Sequence, residues 1–68
     1  MPRMLSSREV IRILLEHGFV LVSQKGSHQK YRHQTGRTVI VPHPRKDIPR
    51  GTMRSIIRQS GLEEILFE

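Results

Sequence analysis

Residues 25–33 read Lys25-Gly26-Ser27-His28-Gln29-Lys30-Tyr31-Arg32-His33. From His28 onward the stretch alternates. In a β-strand it sets His28, Lys30 and Arg32 on one face, roughly 6 to 7 Å apart by the two-residue repeat, with Gln29, Tyr31 and His33 on the other. One face then joins a titratable base to two cations. An imidazole, with an ordinary pKa of about 6.5, can exchange protons near neutrality. Cleavage of an RNA phosphodiester without a metal needs a group that takes the 2′-hydroxyl proton, and cations for the charge that grows on the phosphate. His28 is the candidate for the first task; Lys25, Lys30 and Arg32 are candidates for the second. Gly26 lets the backbone come close to a phosphate, the N–H groups around Gly26-Ser27 are potential oxyanion donors, and Ser27 adds a hydroxyl. On spacing alone the same tripeptide is more simply a turn between strands followed by an exposed histidine, since surface histidines are commonplace, and both readings stand.

The remaining histidines have structural roles available. His17 precedes Gly18 at the expected end of a helix, where it can bond free carbonyls and interact with the dipole. His33 falls on the Tyr31 face near a hairpin, as a partly buried or edge residue. His28, His33 and His43 lack the close spacing and the carboxylate or thiolate support of a metal site, so no metal is expected. Tyr31 can stack on a base, but its alternation opposite His28 places it in the core beside Val39 or Ile40. Arg50, Arg54 and Arg58 recur every fourth residue with no acid between them. This is either a solvated face or a surface that follows an RNA backbone.

The elements that must position these groups are legible in outline. Ser6-Ser7-Arg8-Glu9 has the form of a capping box. Val10, Ile11, Leu14 and Leu15, widened by Ile13, follow at helical spacing until Gly18. Phe19-Val20-Leu21-Val22 suits a half-buried strand running to about Gln24. A second strand spans His28 to His33, Thr35-Gly36 turns the chain, and a third runs from Arg37 to Val41, ended by Pro42. His43 to Asp47 is a polar loop. Gly51-Thr52 offers the N-cap of a second helix whose apolar stripe is Met53, Ile56 and Ile57, closed by Gly61. Leu62, Ile65 and Leu66 would share a face of one more turn. The order αβββα, a three-stranded antiparallel sheet with two helices on one face, is the topology of double-stranded-RNA-binding domains. It leaves the other sheet face open.

Sixty-eight residues without repeat or linker make one domain, 1–68, and the absence of cysteine removes disulfides and thiolate metal sites. The apolar runs are far shorter than the roughly 20 residues of a membrane span, and no secretory h-region follows Arg3, so a cytoplasmic location is expected. Twelve Lys and Arg face six acids, for a formal charge of +6. Between Lys25 and Arg58 nine basic residues meet one acid, Asp47, a bias that favours polyanions.

Several stretches together resemble the HicA family of mRNA interferase toxins across nearly the whole chain. They are Gly18-Phe19, Lys25-Gly26-Ser27-His28 with Tyr31 three residues on, Thr38-Val39-Ile40-Val41-Pro42, and Thr52-Met53-Arg54-Ser55-Ile56-Ile57-Arg58-Gln59-Ser60-Gly61-Leu62. The resemblance implies a double-stranded-RNA-binding-like fold, ribosome-independent endoribonuclease action on mRNA, a catalytic histidine at His28, and neutralisation by a HicB-type antitoxin; no cofactor is expected. The family often carries a further histidine beyond the third strand; His43 is the nearest match and takes no catalytic assignment. The competing reading is a non-catalytic RNA-binding module of the same fold. A gel shift without cleavage in excess chelator separates the two.

Overall fold

Ser6 opens the first helix through a reciprocal pair. Its Oγ accepts from the Glu9 N–H at 3.1 Å, and its own N–H donates to Glu9 Oε1 at 2.9 Å, so two donors that the helix leaves unpaired are satisfied. The computed structural model describes residues 4–68; Arg3 lies outside them. Helix α1 runs Ser7–Glu16, followed by strands β1 (Phe19–Lys25), β2 (His28–His33) and β3 (Thr38–Pro42), helix α2 (Arg50–Ser60) and a 3-10 turn, Glu64–Phe67. The sheet is antiparallel with order β1-β2-β3.

The core lies between the sheet and the two helices. Val10 and Leu14 of α1 and Met53 and Ile56 of α2 meet Phe19, Tyr31, Val39 and Val41 from the strands, and Leu5, Ile48 and Phe67 close the ends. The αβββα order and the single helical layer agree with the sequence expectation and with a double-stranded-RNA-binding-like fold. No helix among the described residues is long and apolar enough to cross a membrane.

Four local expectations are corrected. The apolar stripe of α1 is narrower than its spacing implied: Val10 and Leu14 are buried and Ile11 and Ile13 partly so, but Leu15 is exposed, because it points about 100° round the helix from Leu14. The second helix starts earlier than Gly51-Thr52. Pro49 is its N-cap and makes no side-chain capping bond; the chain there is pinned by the buried Ile48, whose N–H donates to the Leu5 carbonyl at 2.9 Å, so the helix begins as soon as proline allows. In the last turn the buried residue is Phe67, while Ile65 and Leu66 face solvent. Finally, β1 is an edge strand of which only Phe19 is buried, not the half-buried strand its composition suggested.

That edge strand also carries a β-bulge. Leu21 is opposite Tyr31, but Ser23, not Val22, is opposite Lys30. The one extra residue reverses the facing of everything after it. Without it, Ser23 and Lys25 would point to the helices and Gln24 to the open face; with it, Lys25 stands beside His28, and Gln24 beside Gln29.

Candidate active site

Three cross-strand rows make up the open sheet face. They are Val20–Arg32–Thr38, Ser23–Lys30–Ile40 and Lys25–His28–Pro42, and directly opposed side chains on one face start about 5 Å apart. His28 is exposed. It lines a shallow depression with Lys25, Lys30, Ser23, Gln29 and Ile40. Arg32 shares the face but lies one row beyond this depression, so the structure groups Lys25 and Lys30 most closely with the imidazole. Among the described residues no carboxylate lies within ion-pair reach of Lys25, Lys30 or Arg32, and nothing hydrogen-bonds the His28 ring. Unpaired cations beside a free base can act on an incoming anion without first giving up an internal partner.

Gly26 and Ser27 form the two-residue link between β1 and β2. Gly26 has φ +60, whereas Ser27 has no positive φ, the pattern of a type II′ hairpin turn with glycine first. Both carbonyls of this link are held. Gly26 O accepts from Gln24 Nε2 at 3.4 Å, and Ser27 O accepts from the His43 N–H at 2.7 Å. Neither Gln24 nor Gln29 was singled out from the sequence. The available signal was a glutamine on the Tyr31 face of β2: a polar side chain on a core face has to find partners.

Tyr31 is buried opposite Val39, while Ile40 belongs to the open face. Its Oη donates to Gln29 Oε1 at 2.6 Å, and burial raises the phenol above its ordinary 10.0. The other histidines have structural partners. His17 Nδ1 meets the Ile13 carbonyl at 2.8 Å in the last turn of α1. His33 packs edge-on against Phe19, and its Nδ1 accepts from the Thr35 N–H at 3.1 Å. The His43 ring lies on the helical side of β3, where Nδ1 meets Ser7 Oγ at 2.7 Å. That hydroxyl already accepts the Arg45 N–H at 2.9 Å, so its own proton is free for the imidazole. Among the described residues no group of three or more His, Cys, Asp or Glu is placed to hold a metal. Arg50, Arg54 and Arg58 are gathered elsewhere, in a groove lined also by Met53 and Ile57 of α2 and by Glu64 of the 3-10 turn.

The family model described as HicA toxin of bacterial toxin-antitoxin matches residues 7–62. That span begins at the first residue of α1 and ends just past α2, and it takes in every strand. No curated relative matches the chain.

Proposed function

This chain belongs to the HicA toxin family of bacterial toxin-antitoxin systems, and on that premise we propose that it is an mRNA-cleaving endoribonuclease in which His28 is the catalytic base. The observation that carries the reading is the exposed, unpartnered His28 imidazole in a depression shared with Lys25 and Lys30. The His28 ring takes the proton from a ribose 2′-hydroxyl. The 2′-oxygen bonds to phosphorus, the bond from phosphorus to the 5′-oxygen breaks, and the products are a 2′,3′-cyclic phosphate and a 5′-hydroxyl. The leaving oxygen takes its proton from water or from the newly protonated His28. Lys25 and Lys30, with Arg32 one row further, hold the phosphate and offset the charge that builds on it, and the Ser27 N–H adds a backbone donor. No step needs a metal cofactor. Contacts are to phosphate, so base selectivity is weak.

A HicB-type antitoxin is the protein partner in this reading. Val20, Val22 and Ile40 are 56%, 43% and 37% exposed beside the cations, a mixture of apolar and basic surface that an acidic partner can cover while shielding His28.

The test is incubation of the purified chain and its His28→Ala variant with RNA in excess chelator, with the fragment ends mapped. Removing a general base from this chemistry should lower the rate by a factor on the order of 10² or more. The fold should survive, because the ring is exposed and bonded to nothing. A variant that cleaves at the parental rate, or a parent that shifts RNA without cutting it, overturns the proposal.

A further inference from the structure

A line of side-chain hydrogen bonds runs from the core to the turn that carries His28. Tyr31 Oη donates to Gln29 Oε1 at 2.6 Å, Gln29 Nε2 donates to Gln24 Oε1 at 3.1 Å, and Gln24 Nε2 donates to the Gly26 carbonyl at 3.4 Å. Every link points the same way, so each polarises the next. The root is rigid: Tyr31 is 3% exposed and Gln29 9%. The tip is the solvent-exposed Gln24 at the end of β1.

Satisfying buried polar atoms explains only part of this line. Gln29 needs partners because it is buried, but the Gln24 amide could stay in water, and it instead bends back to the turn. Gln24 reaches Gln29 only because the bulge at Val22 puts it on that face; in an unbulged strand it would point to the open side. The far side of the turn is held by the bond from the His43 N–H to Ser27 O. A trans peptide sets its C=O and N–H on opposite sides, so holding Gly26 O toward Gln24 also fixes where the Ser27 N–H points.

We infer that Gln24 and Gln29, rooted on Tyr31, are positioning residues that hold the Gly26–Ser27 peptide so that the Ser27 N–H and the His28 imidazole meet the same phosphodiester. The inference deepens the nuclease reading and rests on it. The last link is the longest and therefore the weakest, so its loss misplaces the turn and does not unfold it.

Gln24→Ala and Gln24→Glu in the full chain test this. The glutamate keeps an acceptor for Gln29 but has no donor for Gly26. Both variants should exchange the amide proton of His28, the residue paired with Lys25 across the turn, faster than the parent and lose about tenfold in kcat. KM should stay within about twofold, since every cation that binds phosphate is kept, and the melting temperature of Gln24→Glu should hold, because Gln29 keeps its acceptor. Tyr31→Phe should lower kcat in the same way. Unchanged amide exchange, unchanged kcat in both Gln24 variants, or a loss confined to KM overturns the inference. His28→Ala is measured alongside: if that variant cleaves at the parental rate, the assignment of His28 as the base falls by itself, and amide exchange at the turn still decides whether the relay orients it.

Discussion

Tyr31 is the chain's one tyrosine, so its ionisation can be followed directly by tyrosinate absorbance. Burial raises its pKa above 10.0 in the folded protein. The stability tied to this shift is present in full below the unfolded value and is lost as pH climbs through the folded one. The midpoint of tyrosinate formation should therefore lie above 10.0, stability should fall as pH climbs toward it, and Tyr31→Phe should remove that part of the fall. A tyrosinate signal with an ordinary midpoint in the folded state would contradict the burial. Gly18 offers a second test at this scale. Its φ is +90, and an added Cβ would sit 2.9 Å from His33 Nε2. Gly18→Ala should cost about 1–2 kcal/mol for the left-handed backbone before any clash, read as a lower denaturation midpoint. The sequence exposed His28, Lys30 and Tyr31 through simple alternation within one strand. It did not expose Gln24, whose partners are set by pairing with another strand.

Among the elements, α1 was the best specified, because its start depends on contacts three residues apart. Ser6→Ala should destabilise the protein by about 1 kcal/mol, and Glu9→Ala should show part of the same loss, since each contributes one bond of the capping pair. Equal stability of Ser6→Ala and the parent would mean that the cap contributes nothing. The start of α2 could not be placed from its own residues. Gly51 and Thr52 satisfy the rules for an N-cap, but the bond from the Ile48 N–H to the Leu5 carbonyl fixes the chain just before Pro49, and the helix follows from there. Strand β1 illustrates the limit most clearly. Deleting Val22 should straighten the strand and swing Lys25 away from His28, weakening RNA binding and cleavage far more than Val22→Ala does. Equal effects of the two changes would show that the bulge does not set the site.

For the molecule as a whole, the decisive property is a formal charge of +6 with Lys25, Lys30 and Arg32 unpaired on the open sheet face. If Lys25, Lys30 and Arg32 each neutralise one phosphate of a single strand, log K should fall against log salt with a slope of about −2. Lys30→Ala should lessen that slope by about 0.7. Arg54→Ala should change it less, because the arginine row of α2 lines a separate groove on the helical side. A larger effect at Arg54 than at Lys30 would move the RNA path from the sheet to α2.

Composition, the capping box and the alternation of β2 were determined by the sequence alone, and with them the αβββα order and the face on which His28 stands. Each depends on neighbours a few residues apart, so local chemistry suffices. Tertiary pairing decided the rest: which residue of β1 is extra, which way Lys25 and Gln24 face, and which groups hold the Gly26–Ser27 turn. A strand changes face with every residue, so a single inserted position inverts all that follows, and only the partner strand records where that position lies.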